Sequence, residues 1–206
     1  VGLQVLIGAD MKFTEDLRDI LIEANMWACM RERGKLVPGS IREGHNVFTV
    51  TGRNLLSKLL SWQTIGATDI PFTNRRIRWM GVGIGSQLEV TTVSSLAQPA
   101  LVTSTDFLVP IQTSEFPSST SVRYLKEFAT NEITIAGVPV AITEVGLFAD
   151  VVPANMGGTE DVGHTNPTDP TLKPTVGSNP PVAYKAFESI TKTSDFTLEI
   201  RWELRF

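Results

Sequence analysis

The last twelve residues, DFTLEIRWELRF, alternate without a break. Phe196, Leu198, Ile200, Trp202, Leu204 and Phe206 fall on one side, and Thr197, Glu199, Arg201, Glu203 and Arg205 on the other. Period-two alternation is the signature of a strand with one buried face. The run from 196 to 206 extends for about 35 Å at ~3.3 Å per residue. A strand this long has to lie in a sheet, and the alternating signs of its polar face suit ion pairs with neighbouring strands.

Much of the chain after residue 66 supplies further strands. The segments RIRWMGVGI, LEVTTV, SVRYLKEFA, EITIAGVPVAITEVGLF and AYKAFESI are rich in β-branched residues and are separated by turn signals. Ala136-Gly137 sits between two short alternating runs and reads as a hairpin turn. An antiparallel β-sandwich is the expected architecture, with a jelly roll as one arrangement it allows.

The N-terminal part reads differently. A helix is expected over 15–33, capped by Thr14, with Glu15 and Asp16 at its positive end and Arg31 and Arg33 before a terminal Gly34. Leu17, Ile20, Leu21, Ala24, Trp27 and Ala28 form its core-facing stripe at helical spacing. Ile22, Met26, Cys29 and Met30 cluster opposite. They either pack inside the same domain or dock on a neighbouring subunit, which makes Ile22, Met26 and Met30 candidate interface residues. After Pro38 and Gly39, NVFTVTGRNLLSKLLSW suggests a short strand leading into a second helix. The expected organisation is a helical region at 1–66 packed on a β-sandwich domain at 67–206.

Composition shifts at about 151–182, VVPANMGGTEDVGHTNPTDPTLKPTVGSNPPV, which holds six of the chain's 12 prolines. A segment this long with almost no large apolar residues reads as an extended arm or as simple disorder. As an arm it offers Pro153, Asn155, His164, Pro167, Pro170, Pro174 and Pro180 as candidate contacts to a partner.

Little in the chain points to chemistry. Gly81, Gly83 and Gly85 give G-x-G-x-G, with Ser86 where a dinucleotide fingerprint needs its third glycine. The following QLEVTTVSS lacks helical period, so no phosphate-binding helix terminus is expected. Three glycines on one strand face instead permit another segment to pass close by. The two histidines, His45 and His164, lie in no catalytic motif, and no G-x-S-x-G elbow occurs. Glu160, Asp161, His164 and Asp169 could gather a cation, but solvated acidic loop residues are the commoner case. No cofactor is expected.

A net charge of −4 speaks against nucleic acid. The cluster Arg75, Arg76 and Arg78 reads as a solvated strand face. No apolar run approaches the ~20 residues of a membrane span, so no membrane partner is expected. The opening VGLQVLIGADMKF lacks the features of a signal peptide. A single cysteine, Cys29, fits folding in a reducing cytoplasm.

Several stretches in order resemble a loose group of tailed-bacteriophage virion proteins, associated with tail, collar and fibre. They are NVFTVTGRNLLSKLL, the glycine segment GVGIGS, SLAQPALV, ITEVGLFAD and FESITKTSDFTLEIRWELRF, covering 46–206 apart from the arm. The resemblance implies a non-enzymatic structural subunit in the neck or collar, tail or baseplate, associating with itself and with other virion proteins. It would be made in the host bacterial cytoplasm and end in the virion. A capsid decoration or head-fibre protein, and a carbohydrate- or receptor-binding module, stay open as alternatives. The last would need an exposed aromatic cluster drawn from Trp62, Trp79, Tyr124 and Tyr184.

Overall fold

The computed structural model describes residues 23–60, 76–134, 137–150, 173–175, 177 and 179–206. The strands are β1 (Glu23–Glu32), β2 (Lys35–Leu36), β3 (Arg42–His45), β4 (Val47–Phe48), β5 (Ile77–Gly83), β6 (Leu108–Pro110), β7 (Thr113–Ser118), β8 (Ser121–Phe128), β9 (Val140–Ala149), β10 (Ala183–Lys192) and β11 (Thr197–Arg205). One helix, α1 (Val50–Leu60), stands among them in the described residues. The strands form two antiparallel sheets, a six-stranded one ordered β2-β1-β11-β8-β7 with β3 also on β1, and a five-stranded one ordered β4-β10-β9-β5-β6.

The C-terminal alternation behaves as its pattern requires. Leu198, Ile200, Trp202 and Leu204 are buried, and β11 sits between β1 and β8. Phe206 lies past the strand end and is 52% exposed. From the other sheet, Met80, Val82, Ile142, Val145, Leu147, Ala183 and Ile190 join the same apolar core. The outer face of the five-stranded sheet carries a second, smaller cluster. There Trp79, Phe148 and Tyr184 are covered by Val93 and Leu96 from the connection between β5 and β6 and by Leu108 at the start of β6.

The expected first helix is corrected. Residues 23–32 form β1, paired along its length with β11 from Glu23↔Arg205 to Arg31↔Thr197. Ala24, Met26 and Ala28 point into the core, so the sequence alternates at period two as well as at helical spacing. β11 needs a neighbour on each edge to satisfy its backbone, and this pairing overrides the local helix preference of Ala, Met, Glu and Arg. Gly34, read as a helix stop, is the second residue of a hairpin turn. Arg33 (φ 48°) and Gly34 (φ 80°) join β1 to β2 with Glu32 opposite Lys35, as a two-residue turn of the I′ type requires. Residues 15–22 of the expected helix lie outside the described residues. The region set apart as helical therefore contributes strands to both sheets, β1 to β3 to one and β4 to the other.

The second helix forms where expected. Thr49 caps it, accepting from the Gly52 amide at 3.2 Å and donating to the Pro181 carbonyl at 2.5 Å. Leu55 and Leu56 pack on the main core. Two strand expectations fail. LEVTTV is a turn-containing connection with Leu88 81% exposed. Residues 132–134 form no strand, and β9 pairs with β10 and β5; Ala136 of the expected hairpin lies outside the described residues.

Candidate functional site

The glycine segment occupies the end of β5 and its exit. A side chain at Gly81 would meet Leu108, one at Gly83 would meet the Glu144 carboxylate and the Gln98 carbonyl, and one at Gly85 would meet Ala97 and the Gln98 amide. The space the three glycines leave is filled by the chain itself. Ile84 donates to the Gln98 carbonyl at 2.9 Å and Ala100 to the Val82 carbonyl at 2.9 Å, tying 98–100 to the edge of β5.

Glu144, on β9, holds this crossing in place. Its side chain is fully buried, accepting from the Gln98 amide (2.8 Å), the Ala97 amide (2.9 Å) and the Tyr184 hydroxyl (2.9 Å). Burial, together with the hydrogen bond to Glu144, pushes the Tyr184 hydroxyl well above its ordinary pKa. This is a satisfied internal carboxylate. Asp150 does similar work at the end of β9, accepting from the Trp79 indole at 2.8 Å and from Arg78 at 3.2 Å. Burial pushes its carboxyl above the usual range against those two contacts. Arg78 is thus tied to Asp150 rather than solvated, which corrects its reading as part of an exposed basic face; Arg75 lies outside the described residues.

Lys192 is the remaining fully buried charged side chain among the described residues. It donates to the Thr130 (3.2 Å) and Thr193 (3.0 Å) carbonyls, and burial pushes it down to about 8. Cys29 is buried on β1, and burial pushes its thiol up to about 11.

The outer face of the six-stranded sheet presents an open arrangement of functional groups around a depression. Register places Glu43, Trp27, Arg201 and Leu125 in one row across β3, β1, β11 and β8, and His45, Asn25, Glu203 and Arg123 in the next. A shallow depression of about 600 Å³ is lined by these residues apart from Leu125, together with Met26 and Gly44. Arg123 holds Glu203 through two nitrogens at 2.7 and 3.1 Å. Arg201 holds Glu199 at 2.6 Å and lies over the Trp27 ring at 5.0 Å from its centre. Arg31 holds the other oxygen of Glu199 at 2.6 Å. The ion pairs expected from the polar face of β11 are therefore present. Glu203 is held below the usual carboxylate range by its hydrogen bonds to Arg205 and Arg123.

The candidate contacts named from sequence are placed as follows. Met26 is 1% exposed in the core and Met30 packs against that core, so the helical second face proposed for a neighbouring subunit does not exist here. Pro174 is buried beside the ion pair of Lys173 with Asp106, and Pro180 is half-buried, so this end of the expected arm is attached to the core. The Lys173 contact holds the Asp106 carboxyl below its ordinary value. Ile22, Pro153, Asn155, His164, Pro167 and Pro170 lie outside the described residues, as do Glu160, Asp161 and Asp169. Trp79 and Tyr184 are buried and Tyr124 packs against the core. Trp27 is a half-buried aromatic on the outer face of the six-stranded sheet, and sequence reasoning missed it because helical spacing assigned it to a buried stripe. Its signal was available: Trp27 is in phase with Asn25 and Arg31, and out of phase with Ala24, Met26 and Ala28.

Among the described residues no group of three or more His, Cys, Asp and Glu is placed to hold a metal ion, and no helix is long and apolar enough to cross a membrane. No protein-family model, no curated protein and no solved structure matches this chain.

Proposed function

We propose that the chain is a non-enzymatic structural subunit of a tailed-bacteriophage particle, built into the neck or collar, tail or baseplate. In this reading it is made in the host bacterial cytoplasm and associates with copies of itself and with other virion proteins. We read its two sheets, with their common core, as a β-sandwich.

The reading is carried by the ordered stretches in 46–206, and it is supported by how those stretches pack. Glu144 of ITEVGLFAD bonds Gln98 of SLAQPALV across Gly83 of the glycine segment. Gly52 of NVFTVTGRN lies where a side chain would meet Val182, just before β10. The C-terminal stretch supplies β10 and β11, internal strands of the two sheets. The residues that carry the resemblance thus pack into one framework. The buried charged side chains Glu144, Asp150, Lys192 and Glu199 are all held by contacts within the chain, as a building block requires.

Native mass spectrometry of the purified chain tests the assembly part of this reading. A closed homo-oligomer is expected, since identical subunits of a ring associate symmetrically. A strict monomer at all concentrations, with no binding to any other virion protein, contradicts it.

A further inference from the structure

The depression on the outer face of the six-stranded sheet has two unlike halves. On the β11 and β8 side its guanidiniums are fixed, Arg123 by Glu203 and Arg201 by Glu199 and the Trp27 ring. On the β1 and β3 side, register sets Asn25 beside His45 and Trp27 beside Glu43. The Asn25, Glu43 and His45 side chains make no hydrogen bond or ion pair among the described residues. One amide, one carboxylate and one imidazole therefore stand with free donors and acceptors around a half-buried indole.

We infer that this depression is a binding site for an uncharged saccharide. Each sugar hydroxyl both donates and accepts, and planar amide, carboxylate and guanidinium groups answer that pairing while the indole receives the C–H face. The lining holds Glu43 and Glu203 against Arg123 and Arg201, so these four formal charges cancel. A balanced lining offers no steering to phosphates or to a charged polymer. The volume of about 600 Å³ falls in the usual range for ligand sites, and its open shape lets a longer chain continue across the sheet. A second copy of the protein fits less well, because the centre of a protein interface is depleted in charged residues and this one holds four.

The test uses the purified full chain on an array of neutral oligosaccharides of hexoses, deoxyhexoses and N-acetylhexosamines, followed by calorimetric titration of the best-retained one. Trp27→Ala is expected to weaken that affinity about tenfold or more, the loss of a ~1.4 kcal/mol contact. The double variant Glu43→Ala with His45→Ala changes only exposed side chains, and it is expected to keep the wild-type thermal midpoint while losing affinity. Retention of no neutral glycan overturns the assignment, as does binding that neither variant weakens. If the double variant instead dissociates an oligomer and no sugar is bound, the face belongs to a second copy and the assignment is wrong.

Discussion

Gly83 carries the tightest constraint on any single position in the crossing between β5 and the segment 97–100. A methyl group there meets the Glu144 carboxylate and comes within 2.7 Å of the Gln98 carbonyl. Gly83→Ala is expected to destabilise the fold by about 2 kcal/mol or more, the scale of overpacking. Gly44→Ala, whose methyl would make only ordinary contact with Lys185, is expected to stay within ~0.5 kcal/mol. Urea unfolding of both variants checks the pair. Glu144→Gln keeps the shape but replaces an acceptor-only carboxylate by an amide that cannot accept from Tyr184, Ala97 and Gln98 together. A loss of about 1–3 kcal/mol follows. Buried titratable groups add a dependence on pH. Cys29 ionises near 9.0 ordinarily and near about 11 in the fold, so its contribution is intact below pH 9 and is lost as pH rises through 11. Lys192 moves the other way, from 10.5 to about 8. Its contribution is present above 10.5 and is lost as pH falls through 8. Between pH 8 and 10.5 the urea midpoint of the wild type is expected to rise relative to that of Lys192→Met; a constant gap contradicts the assignment. Cys29 itself is expected to resist alkylation until the chain unfolds.

At the scale of elements, β1 separates two accounts of the same residues. With Met26 on an outward helical face, Met26→Asp leaves the monomer folded and weakens association. With Met26 in the core opposite Trp202, the same change buries an unpaired carboxylate and costs more than ~3 kcal/mol. Circular dichroism of the purified variant is expected to show loss of the native β spectrum. The contrast shows what was legible in the sequence. β11, β5, β8, β10 and α1 could be read locally, β11 from its unbroken alternation, β5, β8 and β10 from β-rich composition between turn signals, and α1 from its apolar spacing. β1 could not, since Ala24, Met26, Ala28 and Met30 fit both periods and only pairing with β11, at the far end of the chain, decides between them. β7 was missed for another reason. All of its residues are exposed, Phe116 at 80%, and it carries Pro117, so it has no inward face to leave a pattern; it survives as an edge strand on β8. The clearance role of the three glycines was readable from their spacing. The identity of what fills that space, Glu144 and Gln98, was not, because both arrive from distant segments.

For the whole molecule, Glu144 and the glycine crossing bind the connection between β5 and β6 to the five-stranded sheet, and Asp150 ties the end of β9 to β5. The six-stranded sheet keeps a broad polar face turned outward. Such a division suits a subunit whose rigidity comes from within and whose contacts lie on its surfaces. The saccharide site and the virion role are separate claims, and either can stand when the other fails. Edge strand β7, with Phe116 exposed beside Glu115, is expected to tolerate Phe116→Ser within ~0.5 kcal/mol of monomer stability. If β7 lies in a subunit contact, the same change reduces the assembled fraction seen by native mass spectrometry. The most direct test of the central claim is quantitative mass spectrometry of purified tailed-phage particles from the source of this chain. The account predicts the chain at a fixed, small copy number set by ring symmetry. Complete absence of the chain from the particles contradicts it.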